Sequence, residues 1–470
     1  MHENRTLVRG DNLEEMRKFP DECIDLIATD PPFNSRRNYF IPYRDEHGQE
    51  PDTLVRAFSD TWTWGDAAED AYKELIVTVG GQIGDTIQGL RQFLNETPMM
   101  AYLVMMAIRL IEMHRILKST GSFYLHCDPS ASHYLKIISD AIFGASKLRN
   151  EIVWCYTGPG SPNMRQFNRK HDIIFWYAKG DKWTFNSDMI RILHKKPIGA
   201  GGTSTKWKKS EDEDLGEKYK AGKIPETWWT EFTPVGRIRT ELLGYPTQKP
   251  RSLYERIIQA SSNKGDFVLD PFCGCGTTLM AAESLGRQWI GIDLTYLAIG
   301  AVKTQAEKFF STGTGSITVI GTPENENTAL QLARTKPQDF EEWCVTNVLK
   351  FKSNAKKVAD GGIDGTFRFP HDKTKGKMVY GKAVAQVKGG KYTLGHIREF
   401  RTAMQNEDAN LGVFVVTKPP TRGMRTEASR AGIYRHPFSN TEVPRLQIYE
   451  IQDYFRDVLP RLPFGERTVL

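Results

Sequence analysis

DFVLDPFCGCGTTLMAAESLGRQWIGIDL, Asp266–Leu294, is the stretch whose reading decides the fold. Phe267–Asp270 reads as a buried strand that ends in an acid. A turn carrying Gly274 and Gly276 follows, then a helix that Thr277 or Thr278 can cap, then a second strand ending at Asp293. Glycines at a strand exit let the backbone approach a ligand closely, and an acid about 20 residues on, at the next strand's tip, can take ribose hydroxyls. The full GxGxxG pattern is not met, because Leu279 stands where the third glycine belongs. That argues against NAD and for a nucleoside without a pyrophosphate. S-adenosylmethionine fits: its adenosine needs an acid such as Asp293, and its zwitterionic methionine can use turn amides and a carboxylate.

Upstream and downstream, strand and helix signals alternate. TLVRGD and CIDLIAT read as strands around a short helix from Asn12, GSFYLHCD as a strand, and SASHYLKIISDAIFG as an amphipathic helix. Thr97 and Pro98 open a Met-rich helix that stops before Gly121, and core packing is the reading for its methionines. Repeated βα units of this kind predict an α/β fold, a mostly parallel sheet covered by helices. At 470 residues, two or three domains are expected. The net charge of +6 permits a polyanionic partner without demanding one. The six cysteines form no CxxC pair, so neither a zinc ribbon nor a disulfide framework is suggested. The N-terminus lacks a signal-peptide core, and Arg109, Glu112, His114 and Arg115 break the most apolar run, so a cytoplasmic protein with no membrane span is expected.

A second strand exit asks for chemistry. CIDLIATDPPF, Cys23–Phe33, ends in Asp30, Pro31, Pro32 and Phe33. Prolines set a stiff platform with free carbonyls, Asp30 offers a carboxylate acceptor, and Phe33 a flat apolar face. Those parts suit an extruded base stacked on Phe33, its exocyclic amine donating to Asp30 and to the Pro31 carbonyl. Two acceptors gripping the amine favour a tetrahedral nitrogen whose lone pair can attack a methyl sulfonium. An Asp–Pro turn with a packing aromatic is the plainer alternative. No Pro-Cys dipeptide exists for attack at cytosine C5, and the deaminase zinc signature is absent. Cys273 and Cys275 read as packing residues, and His126 and His133 as structural or partly exposed.

DPPF followed far downstream by DPFCGCG resembles the amino-methyltransferases of DNA, which modify adenine N6 or cytosine N4. Catalytic motif first, cofactor motif last, with an aromatic and basic region between, is similar to their β arrangement. TQKPRSLYERII, Thr247–Ile258, resembles the family's extra cofactor-side motif, and GSFYLHCDPSASHYLKIISDAIFG and NEIVWCYTG resemble segments of bacterial modification subunits. The resemblance implies a Rossmann-like seven-stranded mixed sheet with an inserted target-recognition region. It implies catalysis by Asp30, Pro31, Pro32 and Phe33, and a cofactor pocket of Asp270, Pro271, Phe272, Gly274, Gly276, Thr277 and Asp293, with Lys249 against the methionine. Double-stranded DNA is the implied partner, in a restriction-modification system. DPP with an aromatic is more usual for adenine, so adenine N6 is favoured, with cytosine N4 as the alternative.

After Pro337 a second αβ unit appears. Asp364 at a strand entry, with Gln386 and Lys388 on the next strand, resembles the Mrr-like branch of the restriction-endonuclease fold, with Glu341 or Glu342 as a possible helper. A magnesium ion on Asp364 and an active nuclease site follow as expectations; a degenerate fold that only grips DNA is the alternative. The nearby GKMVYGKA reads as a hairpin, since Ala383 replaces the magnesium-binding hydroxyl of a phosphate loop. The expected division is 1–154 catalytic part, 155–245 target recognition, 246–312 cofactor part, 313–336 linker and 337–470 endonuclease-like domain. A homodimer or a restriction-system subunit is the expected assembly. The competing hypothesis is a DNA-binding protein with a decayed methyltransferase core.

Overall fold

The computed structural model describes residues 3–463 apart from 34–37, 43–53, 60–61, 159–164, 194–221, 239–240, 244, 246, 311–315, 355–361, 375–376 and 438. Residues 194–221 of the expected target-recognition region and 313–315 of the expected linker lie outside the described residues.

Among the described residues, one sheet has nine strands: β1 (Thr6–Arg9), β2 (Ile24–Thr29), β3 (Leu117–Cys127), β4 (Leu148–Cys155), β5 (His171–Ala178), β6 (Trp228–Trp229), β7 (Phe267–Asp270), β8 (Gln288–Asp293) and β9 (Thr318–Ile320). Their order is β9-β1-β8-β7-β2-β3-β5-β4-β6, mixed, with β5 antiparallel to both neighbours. The expected seven strands are the inner ones; β6 and β9 add one at each edge. The β9 strand falls in the segment read as a linker, where three β-branched residues suit an edge. That segment also holds a helix, Glu326–Thr335, which Asn325 caps. β4 and β5 carry the sheet on through Ala178, into the region expected to read DNA.

Local signals explain most elements. Asp11 caps the helix α1 (Asn12–Met16) through the amides of Leu13 and Glu14. Thr97 accepts from the Met100 amide at 3.3 Å and starts α2 (Pro98–Ile116), whose Met100, Met106 and Met113 are buried in the core. α2 ends at Ile116, and β3 starts at Leu117, earlier than the sequence suggested. Further along come α3 (Ser132–Phe143), α4 (Arg251–Ser261), α5 (Thr277–Ser284) and α6 (Tyr296–Phe310). Gly276, not a threonine, is the N-cap of α5, and Thr277 is its first residue.

The position of the site follows from the strand order. β2 leads outward to β3 on one side, while β7 leads to β8 on the other, so the chain reverses direction across the sheet between β2 and β7. A crevice opens outside the carboxyl ends of strands at such a reversal.

The second unit is a five-stranded sheet in the order β10 (Lys352–Ser353), β11 (Gly365–Thr374), β12 (Lys377–Lys388), β13 (Leu411–Val416), β14 (Leu446–Glu450). One face packs on α7 (Pro337–Trp343), the other on α8 (Leu394–Asn406) and α9 (Arg422–Ser429). β11 and β12 form the expected hairpin. Tyr296 of α6 is buried in the core around Phe340 and Trp343, and Arg9 pairs with Asp339 at 2.8 Å.

Candidate active site

Asp30 leaves β2, and Asp270 ends its neighbour β7, with Leu26 and Ile27 opposite Val268 and Leu269. Parallel pairing therefore brings two motifs 240 residues apart to one sheet edge (270 less 30). A cavity of ≈ 490 Å³ opens between them, lined by Asp30 to Phe33 on one side and Asp270 to Cys275, Thr277, Thr278 and Asp293 on the other. Lys249 lines it too.

Asp30 has an asymmetric environment. Its Oδ2 accepts from Lys249 Nζ at 2.7 Å, while its Oδ1 is buried with no hydrogen-bond partner among the described residues. The same ammonium lies 4.7 Å from the centre of the Phe33 ring. Lys249, expected at the cofactor end, thus reaches the Asp30 end of the shared cavity. Thr247, at φ +64, bends the chain there, and Gln248 fixes the bend by accepting from the Leu243 amide at 3.0 Å and donating to the Glu241 carbonyl at 2.7 Å. A β-branched residue in the left-handed region is costly, and such strain is typical of functional segments.

On the other wall, Gly274 (φ +49) and Gly276 (φ +86) both adopt conformations that L side chains avoid. A Cβ on Gly276 would also meet Val302 Cγ2 at 2.8 Å. Asp293 holds the turn, accepting from the Gly274 amide at 3.0 Å and from the Thr295 amide and hydroxyl at 2.9 Å. Leu279, the break in the GxGxxG pattern, packs where a Cβ on Gly291 would lie only 2.5 Å away. The close helix–strand approach that a third helix glycine normally allows is supplied here by a glycine on β8.

Asp270 is 3% exposed, and burial pushes its carboxyl up to about 7, against hydrogen bonds from Thr278, the Phe272 amide and Thr29. Burial likewise pushes the Cys275 thiol up to about 12, in keeping with a packing role for the turn cysteines.

Several lining groups escaped the sequence reading. Gly10, Asp11 and Asn12 leave β1 beside the cavity. Asn12 donates to the Pro271 carbonyl at 2.7 Å and accepts from Arg109 Nε at 2.6 Å, while Arg109 reaches Asp11 at 2.7 Å. Trp62, Met105, Tyr245 and Tyr254 complete the walls. Arg109, the first charge in the apolar run of α2, was the available signal. His126, read as structural or partly exposed, is buried: its Nε2 lies 3.0 Å from Asp172, and its ring 5.8 Å from that of Phe33. His133 is exposed.

In the C-terminal unit, Asp364 lies one residue before β11, whose Gly365 pairs with Ala385 of β12, and its amide donates to the Ala385 carbonyl at 2.9 Å. The Asp364 carboxylate reaches the β12 backbone between Gln386 and Lys388. Its Oδ2 accepts from the Val387 amide at 2.6 Å, and Gln386 is 6% exposed with its Oε1 buried and unpartnered. Glu342 lies electrostatically close to Arg9 and Tyr296, and Glu341 to Cys344. No group of three or more metal-ligating side chains occurs among the described residues. The magnesium expectation is therefore not supported: Asp364 is engaged by backbone, and an amide, Gln386, stands on β12 where a second acid would serve a hard cation better.

A family model described as DNA methylase, of the N6/N4 type, matches residues 24–299, and the chain belongs to that family. Residues 337–453 match a model described as NACHT-associated inactive restriction endonuclease 1. The restriction-endonuclease likeness stands at that level, and the family is described as inactive. DNA adenine methyltransferase YhdJ of Escherichia coli is 28% identical over 66% of this chain and 86% of its own. Type II methyltransferase M.HpaI of Haemophilus parainfluenzae is 27% identical over 66% of this chain and 76% of its own. Among solved structures, a DNA modification methylase from Thermus thermophilus in complex with S-adenosyl-L-methionine is 17% identical, with a TM-score of 0.38, covering 68% of this chain and 100% of that one. No helix among the described residues is long and apolar enough to cross a membrane.

Proposed function

We propose that this chain transfers a methyl group from S-adenosylmethionine to the exocyclic amine of a base extruded from double-stranded DNA, adenine N6 in preference to cytosine N4. The observation that carries the reading is the single cavity shared by Asp30–Phe33 and the Asp270–Thr278 turn; Asp30, one of its lining residues, has a buried Oδ1 with no hydrogen-bond partner among the described residues. A charged oxygen left without a donor is costly unless a ligand satisfies it. The adenine assignment draws on the Asp-Pro-Pro-aromatic motif and on the name of the adenine-modifying relative.

The donor chemistry also fits the other wall. The Asp270 and Asp293 carboxylates and the glycine turn between them would border the sugar, base and amino-acid parts of the cofactor, which supplies an electrophilic methyl group when bound. Lys249 fixes Oδ2 of Asp30, leaving Oδ1 to accept from the amine. The Pro31 carbonyl takes the second amine hydrogen, and Phe33 offers its ring face to the base. The lone pair then leaves the ring plane and becomes nucleophilic. Asp30 Oδ1 is positioned to take the proton that the methylated nitrogen releases. No covalent link between base and protein is needed.

The C-terminal unit, on this reading, contacts DNA without cutting it. Methylation-sensitive sequencing of duplex DNA treated with the chain tests the whole proposal. N6-methyladenine at a fixed site supports it, N4-methylcytosine moves it to the alternative, and no modification under saturating cofactor overturns it.

A further inference from the structure

Glu427 of α9 is 3% exposed, and three guanidinium groups converge on it. Arg401 lies 2.7 Å from one carboxylate oxygen, while Arg430 and Arg398 lie 3.0 Å and 3.5 Å from the other. Arg398 and Arg401 project from α8, and Arg430 follows α9. A buried carboxylate needs a charged partner, and one arginine supplies it. The shortest contact, to Arg401, already clamps α8 to α9. Two further guanidiniums leave the cluster with two uncompensated positive charges.

Those two extra groups face outward. The side chains of Arg398 and Arg430 are 59% and 63% exposed, against 33% for Arg401. Each guanidinium carries five donors in a planar fork, and a single carboxylate contact leaves most of them for another acceptor. Along the chain that carries both helices, Lys391–Arg435 holds eight Lys and Arg against four Asp and Glu, and one of the basic residues, Arg425, is already paired with Glu450 at 2.9 Å. Crowding like charges on a surface is unfavourable unless an anion comes to meet them. Oxygens of a phosphodiester suit the fork, whereas a lone soluble anion would not use the spread of charge along two helices.

We propose that this arginine fan seats the sugar–phosphate backbone of duplex DNA, so that the C-terminal unit grips the duplex on which the methylase cavity acts. The inference rests on DNA being the substrate, and it gives the unit a role that needs neither a metal nor the Asp364 group. Contacts of this kind fix register and hold the duplex without reading its sequence.

The test uses the full chain with Arg398→Ala and Arg430→Ala combined, leaving Arg401 as the clamp. Anisotropy of a labelled duplex is titrated without cofactor over a salt series. The slope of log K against log salt should become shallower by about 2, with binding at low salt weakened roughly tenfold or more, and these changes should be independent of the duplex sequence. The Arg398→Lys and Arg430→Lys pair should restore most of the slope. Thermal midpoint and cofactor binding should stay at parental values. A parental slope in the alanine pair overturns the inference, as does a lowered midpoint with unchanged slope, which would make the fan a helix clamp only. If the parent methylates DNA while the alanine pair keeps its slope, this inference alone fails. If the slope falls but the parent never methylates, only the functional reading fails.

Discussion

The edge of the large sheet and the face of the small one each carry an acid beside a strand, with partners whose residue types suit chemistry. At Asp30 the fold opens a cavity of ≈ 490 Å³ and leaves one carboxylate oxygen without a donor. At Asp364 the neighbouring strand's own amide takes the carboxylate, and the position of a second acid is filled by buried Gln386. An acid meets a lysine side chain in one place and a backbone amide in the other. What sets the two regions apart is the cavity, which opens beside Asp30 and includes none of Asp364, Gln386 and Lys388 in its lining.

The largest effect should come from Asp30→Ala. Methyl transfer should fall by roughly 10²–10⁴-fold, while calorimetric cofactor affinity stays within a few-fold of the parent. Near-parental activity would remove Asp30 from the mechanism and erase the contrast with Asp364.

Gly276→Ala should come next. The new methyl group meets Val302 Cγ2 at 2.8 Å at a backbone φ of +86, so the turn must shift. A loss of about 1–3 kcal/mol in denaturant unfolding is expected. The stabilisation by excess S-adenosylmethionine, about 2.7 kcal/mol at a hundredfold excess over Kd, should shrink too. Unchanged cofactor stabilisation would place the ligand elsewhere.

A pH experiment sharpens the cofactor wall. Burial raises Asp270 to about 7, so its folded form holds a proton at pH values where an exposed carboxylate does not. A raised acid contributes stability that is present at low pH and lost as pH rises through about 7. A cationic amino group binding beside it favours the deprotonated form. Cofactor affinity should therefore rise about tenfold between pH 6 and pH 8 and then level off. Asp270→Asn should flatten that rise; a steep rise in the variant would assign the titration to another group.

Lys388→Ala should do least. Methylation should be unchanged and unfolding free energy within about 0.5 kcal/mol of the parent. Neither parent nor variant should cleave DNA with magnesium. Cleavage that disappears in the variant would show that the two regions are alike after all.

The residues along the chain determined the βα alternation, the strand exits at Asp30, Asp270 and Asp293, the helix start at Thr97 and the C-terminal hairpin. These depend on local terms: buried apolar runs, caps, and glycines or prolines at turns. The two distant motifs were paired as well, through a family resemblance and not through any local rule. The tertiary structure alone decided that Lys249 lies on Asp30, that Arg109 and Asn12 brace the Pro271 carbonyl, and that His126 is buried behind Phe33. It also decided that Val387 claims Asp364 and that three arginines surround Glu427. Each of those depends on which strands become neighbours and on how much water the packing removes, and no window along the chain contains that information.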